Sequence, residues 1–171
     1  VLADDDAVEL SNLHRQVAFR GKDVGQSKAE ALKAQLQALN SDVSVQAHTV
    51  RVDADWLDRE VASATVVLDC TDNFATRQSI NQACVTHRTP LVSGAAIRMD
   101  GQLAVFDLRQ PDSACYACVY GDGTDGDLAC SQAGIVGPVV GIVGTLQALA
   151  TMQVLLGNPM PATLRLFDGR T

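Results

Sequence analysis

The 171 residues suit one domain with a buried core, and 20 Asp plus Glu against 13 Lys plus Arg leave a formal charge of −7. That balance repels nucleic acid and anionic membrane surfaces, so neither is expected as a partner. Five cysteines, an odd number without dense regular spacing, argue against a secreted disulfide scaffold and for a reducing, cytoplasmic setting.

Val1-Leu2-Ala3 stops at Asp4-Asp5-Asp6, the pattern of a buried strand running into a loop. From Gly25 to Asn40, Ala29, Leu32, Leu36 and Leu39 recur at helical spacing, with Asn40 as a stop. Val43, Val45 and Ala47 alternate as a strand does. Ala54 to Ala62 reads as a short helix, and Thr65 to Leu68 as a buried strand ending at Asp69. A helix from Thr76 to His87, a strand Pro90 to Val92 and an edge or antiparallel strand Gln102 to Leu108 follow. Strands alternating with helices predict an α/β, Rossmann-like fold: a mainly parallel sheet with helices on both faces and additional antiparallel strands. After Pro111 and two cysteines, the Gly/Asp-rich stretch 121–132 has the composition of a mobile loop. Ala133 to Gly157 carries no charge and is long enough to span a bilayer. Pro138, Gln147, Thr151 and Gln153, and the lack of basic or aromatic anchors at its flanks, point instead to a buried core helix starting near Pro138. Gly134, Gly137, Gly141 and Gly144 give that region a bare edge for close approach to the sheet or a partner helix. Leu164, Leu166 and Phe167 close the chain as a last strand, with Asp168-Gly169 as a turn.

In open α/β sheets ligands bind beyond the carboxyl ends of strands, where an acidic residue often meets a ribose. Asp4 and Asp6 are placed for that, although an acidic triplet also suits a solvated turn. Arg15 offers a planar fork of donors, Lys28 a point charge and Asn12 neutral donors, a set suited to triphosphate oxygens and equally to a charged surface. Asp72 follows a buried strand and opens a loop before a helix; it reads as a hard oxygen ligand or as a helix-capping or turn aspartate. Cys115 and Cys118 form one CxxC, compatible with a redox pair, half a zinc site or two core thiols. Cys70 and Cys84 read as buried structural thiols. Cys130, after the Gly/Asp-rich stretch, is either an ordinary loop thiol or a solvent-facing nucleophile.

Ala3-Asp4-Asp5-Asp6, Leu10-Ser11-Asn12-Leu13-His14-Arg15-Gln16, Leu68-Asp69-Cys70-Thr71-Asp72-Asn73, Gly137-Pro138-Val139-Val140-Gly141, Gly144-Thr145-Leu146-Gln147-Ala148 and Leu166-Phe167-Asp168-Gly169 together resemble the ThiF/MoeB/HesA family, related to ubiquitin-activating enzymes. The triple aspartate, the helix start at Gly137-Pro138 and the Leu-Phe-Asp-Gly ending are most similar to ThiF. Ser93-Gly94-Ala95-Ala96-Ile97-Arg98-Met99 is more similar to MoeB. The resemblance implies ATP-dependent adenylation of the C-terminal carboxylate of a small ubiquitin-like sulfur-carrier protein. A ThiS-like carrier of thiamine biosynthesis is preferred; a MoaD-like carrier of molybdenum cofactor synthesis and a catalytically idle carrier-binding scaffold are the alternatives. A nicotinamide-dependent enzyme would suit the same strand and helix pattern.

By the same resemblance Asp4 holds the ATP ribose, with Asp6 nearby. Asn12, Arg15 and Lys28 meet the phosphates, Gln16 belongs to the same nucleotide-binding set, and Asp72 binds Mg2+. Cys115 and Cys118 supply two ligands to Zn2+, the second cysteine pair being absent from this sequence. Cys130 matches a loop cysteine that links to the carrier or takes part in sulfur transfer, with a cysteine desulfurase as a possible sulfur donor. A homodimer is expected. A first strand and Gly-rich loop are expected to be missing from these residues, as though the domain were truncated at both ends.

Overall fold

The computed structural model describes residues 1–121, 134–158, 160 and 162–171. Most of the predicted mobile loop, and Cys130 with it, lies outside the described residues. The chain divides into two compact units, Val1–Val52 and Asp53–Thr171.

In the first unit, β1 (Leu2–Ala3) pairs in parallel with β2 (Ala47–His48). The strand predicted at Val43 is shorter than its alternation suggested, because β1 offers only two residues to pair with, and Val43 is exposed. Helix α1 (Lys28–Leu39) is built from Ala, Leu, Lys, Gln and Glu, all good helix formers. Ser27 caps its start by accepting the Glu30 N–H, and Asn40 ends it in an extended conformation, as predicted. The face it buries is centred on Ala29 and Ala31, whereas the predicted face member Leu39 is exposed at its last turn. Val8 is the buried anchor of this unit: its N–H donates to Gln26 O, and Gly25 N–H donates to Val8 O.

In the second unit, α2 (Ala54–Ser63) starts at the Asp53 cap and packs on α3 (Phe74–His87), which starts at the Asn73 cap. Leu57 and Val61 of α2, with Ile80, Ala83 and Cys84 of α3, are buried. The sheet runs in the order β3 (Val67–Asp69), β4 (Leu91–Ile97), β5 (Asp100–Phe106), β6 (Thr163–Asp168). β3 and β4 are parallel and the other two pairs antiparallel, so the protein is a mixed α/β fold of the Rossmann-like kind expected. β5 is an interior strand and β6 lies at the edge. The strand expected to be buried at Thr65 to Leu68 leaves Leu68 43% exposed; among the described residues β3 is paired along one side only.

A short helix α4 (Tyr116–Tyr120) precedes the long helix α5 (Gly137–Leu155), whose Pro138 sits in the first turn. α5 is long and apolar enough to cross a bilayer by length and composition alone. It packs on β4 and β5 through Val139, Val143, Gln147, Ala150 and Val154. Val92, Leu103, Val105, Ala150 and Val154 make the core of this contact. The expectation of a helix buried all round is corrected: Leu149, Met152 and Leu155 are each more than half exposed, since the sheet covers one face only. Of the two approaches expected of the glycine edge, the one to the sheet is corrected. A Cβ added at Gly141 or Gly144 would meet nothing, and the close approach is made by strand glycines instead. A Cβ on Gly101 would lie 2.6 Å from Val143 Cγ2, and one on Gly94 would overlap the Gln147 amide.

Candidate nucleotide and metal site

The acidic loop after β1 is folded by its own backbone. Asp4 N–H donates to His48 O as the last rung of β1–β2, and Asp6 N–H donates to Asp4 Oδ1 at 2.9 Å. An antiparallel bridge between Ala7 and Ser27 then brings Asp6 against the start of α1. Lys28 N–H donates to Asp6 O, and Lys28 Nζ lies 2.6 Å from Asp6 Oδ2. The structure therefore brings Asp4, Asp6 and Lys28 together at one end of the first unit. Asp4 is half-buried; burial pushes its carboxyl up, against the opposing pull of the Asp6 N–H and the Lys28 charge. Half-burial, with one oxygen that takes no hydrogen bond among the described residues, suits a hydroxyl donor such as a ribose.

Asn12, Arg15 and Gln16 sit on the turns of the next segment. Asn12 is 5% exposed, and its Oδ1 accepts the Glu9 N–H at 3.0 Å, so its carbonyl is committed to the fold and only its NH2 group remains to donate. Arg15 Nη1 donates to Ser11 O at 2.9 Å and lies 3.0 Å from His14 Nε2, which holds the guanidinium on its own turn. No hydrogen bond or ion pair joins it to Asp4, Asp6 or Lys28 among the described residues. Gln16 buries its Oε1 without a hydrogen-bond partner, an acceptor suited to a ligand N–H or O–H rather than to a phosphate oxygen.

Asp72 belongs to the second unit. It is exposed, and among the described residues its carboxylate makes no hydrogen bond or ion pair. Asn73, not Asp72, caps α3 by accepting the Thr76 N–H at 2.9 Å, so the helix-capping alternative for Asp72 is removed. One unclaimed carboxylate fits magnesium, which takes few protein ligands and completes its shell with phosphates and water.

Behind Asp72 lies a polar network that the sequence did not announce. Asp69, 1% exposed, accepts the N–H and hydroxyl of Thr71 on Oδ1 and the Ser93 hydroxyl on Oδ2. Arg77, also buried, lies 3.7 Å from Asp69 Oδ2 and donates to Thr71 O and Gly94 O. Gln147 Nε2 donates to Asp69 O at 2.9 Å and Val92 O at 3.3 Å. The signal available in the sequence was small: an Asp closing an apolar run and one Gln inside a charge-free helix.

Cys115 and Cys118 have their sulfur atoms 3.5 Å apart at the start of α4. Burial pushes the Cys115 thiol up, but the Cys118 N–H and thiol and the Asn81 amide outweigh it and hold it below the usual thiol range. Asn81 also fixes the turn by accepting the Tyr116 N–H. Two convergent thiols, that of Cys115 held below the usual range, fit half of a tetrahedral zinc site. Cys84 is fully buried and its thiol is pushed up to about 12 by burial, as a structural thiol's would be. Cys70, expected to be buried, is exposed where β3 ends.

The family model described as "ThiF family" matches residues 1–171. The sulfur carrier protein ThiS adenylyltransferase of Escherichia coli is 47% identical over 173 residues, covering all of this chain and 68% of that protein. The molybdopterin-synthase adenylyltransferase of Salmonella typhimurium is 37% identical, covering 99% of this chain and 69% of that protein. Among solved structures, E. coli MccB with ATP superposes with a TM-score of 0.78 at 21% identity, over 98% of this chain and 55% of that chain, a likeness of fold. Matched over residues 1–171 by the family model, and 47% and 37% identical to relatives of which it covers 68% and 69%, the chain belongs to the ThiF family, a family of adenylyltransferases.

Proposed function

We propose that this protein uses ATP to adenylate the C-terminal carboxylate of a ubiquitin-like sulfur-carrier protein, with a ThiS-like carrier as its substrate. The observation that carries the choice is the 47% identity to a ThiS adenylyltransferase against 37% to the molybdopterin-synthase enzyme, both across essentially the whole chain. The same second relative keeps a MoaD-like carrier as the other reading. A carrier carboxylate oxygen bonds to the α-phosphorus of ATP while the bond to the bridging oxygen of pyrophosphate breaks. The nucleophile is already ionised, so no general base is needed, and the rate comes from positioning and charge neutralisation.

In this reading Asp4 accepts from the ribose, with Asp6 holding Lys28 in place. Lys28, Arg15 and the Asn12 NH2 group face phosphate oxygens, and Gln16 contributes its buried acceptor. Asp72 would hold Mg2+, which supplies further charge neutralisation when bound. Cys115 and Cys118 would be two ligands of a structural Zn2+. Cys130 is proposed to meet the carrier during sulfur transfer, with a cysteine desulfurase as the sulfur source and the cytoplasm as the setting. The exposed apolar face of α5, through Leu149, Met152 and Leu155, is proposed to pair two copies; Leu149→Lys with Met152→Lys should then leave a folded monomer by sedimentation.

ATP–pyrophosphate exchange with each purified carrier tests the proposal. Exchange that depends on a ThiS-like carrier is expected. Exchange only with a MoaD-like carrier would transfer the reading to molybdenum cofactor synthesis, and carrier binding without any exchange would leave a scaffold.

A further inference from the structure

The segment between β3 and α3 is held on both sides of Asp72 and free at Asp72 itself. Thr71 is fixed through its N–H and hydroxyl, both donated to Asp69 Oδ1, and through its carbonyl, which accepts from Arg77 Nη2. Asn73 is fixed as the α3 cap and accepts the Arg77 N–H on its carbonyl. The Arg77 guanidinium spans two backbones, taking Thr71 O from the loop and Gly94 O from β4. Gln147 ties the Asp69 carbonyl to the same strand, and it fits there because Gly94 has no Cβ. Replacing a buried ion pair by apolar residues is often neutral or stabilising, so stability alone does not account for Asp69 and Arg77.

We infer that Asp69 and Arg77 are positioning residues that touch no ligand and set the direction of the Asp72 carboxylate toward its cation. The inference rests on the reading of Asp72 as the magnesium ligand. Partners of this kind, one bond removed from a metal ligand, typically matter by about 10- to 100-fold in metal affinity or activity.

Three variants of the protein separate positioning from simple packing. Arg77→Lys keeps the buried charge beside Asp69 and loses the planar fork that reaches two carbonyls. Thr71→Val keeps the side-chain shape at a half-buried site and loses the hydroxyl that meets Asp69. Thr71→Ser keeps that hydroxyl and serves as the rescue. Two quantities are measured: amide hydrogen exchange of residues 70–73 without nucleotide, and the Mg2+ concentration giving half-maximal ATP–pyrophosphate exchange at saturating ATP. Arg77→Lys and Thr71→Val should both speed exchange within 70–73 and raise the Mg2+ requirement about tenfold or more, while Thr71→Ser stays near the parent. If Arg77→Lys does not fold, Thr71→Val against Thr71→Ser decides alone. Parent-like protection of 70–73, an unchanged Mg2+ requirement, or faster exchange spread evenly through the chain would each overturn the inference. A parent protein that catalyses no pyrophosphate exchange defeats the adenylation proposal instead, and the amide measurement then decides whether the pair holds the segment.

Discussion

Lys28→Met is the perturbation that best separates a structural charge from a catalytic one. Lys28 Nζ lies 2.6 Å from Asp6 Oδ2, with side-chain exposures of 13% for the lysine and 66% for the aspartate. A pair whose carboxylate is that open to water falls in the surface class, worth about 0.2–1 kcal/mol. Methionine retains most of the apolar stem, so the substitution should cost no more than about 1 kcal/mol of stability, measured by urea unfolding. Catalysis should respond on another scale. Removing a fixed group that meets developing charge on a reacting centre costs about 3–4 kcal/mol, or 100- to 1,000-fold in turnover. Asp6→Asn breaks the same pair from the other side and should cost similar stability while retaining far more activity. The assay is ATP–pyrophosphate exchange at saturating ATP and carrier, well below the unfolding midpoint of every variant. Lys28→Met activity within about threefold of the parent, or a loss no larger than that of Asp6→Asn, would refute a phosphate role, since either fits the surface-pair scale alone.

Gly94→Ala should destabilise the second unit by about 2–3 kcal/mol in urea unfolding, because the new Cβ displaces a Gln147 amide that bonds two backbone carbonyls. Asp4→Asn should raise the stability of the nucleotide-free protein near neutral pH while weakening ATP binding by calorimetry. The sign follows from burial: a carboxyl raised in the fold contributes stability that is full below its unfolded pKa and is lost as pH rises through the folded one, and Asn removes that slope. Cys115 should be alkylated by iodoacetamide with a pH midpoint below that of free cysteine, and Asn81→Leu should move the midpoint up.

Helices were legible in the sequence where a local rule set them. The Ala/Leu periodicity before Asn40 placed α1, and the reading of Ala54 to Ala62 as a short helix fell within a residue of the end of α2. Strands were less legible because partners set their length. β4 runs from Leu91 to Ile97, well beyond the predicted Val92, through Ser93-Gly94-Ala95-Ala96, residues with little strand preference of their own. Seven of its residues are paired with β5, and that pairing overrides propensity. Conversely Val43 and Val45 alternate well, but β1 gives them nothing to pair with. The α5 expectation failed for a related reason: composition reports how apolar a helix is, while the area of sheet available decides how much of it is covered.

The candidate site divides along the same line. Charged residues beside strand ends and helix starts were visible because such positions face solvent and carry little packing duty, so Asp4, Asp6, Lys28 and Asp72 could be named from their surroundings. Asp69, Arg77 and Gln147 could not, since the bonds joining them span as many as 78 residues and obey no local period. Yet these are the residues whose placement is most demanding: a carboxylate with 1% exposure needs its charge met inside the protein, and here Thr71 and Ser93 donate to it while the Arg77 guanidinium lies 3.7 Å from its Oδ2. A reaction with an already ionised nucleophile asks little bond-making of the protein and much fixed geometry. If Asp72 holds the cation as proposed, that exposed carboxylate is only as well aimed as the buried pair behind it, and the variants most informative about adenylation are those that disturb aim while leaving charge in place.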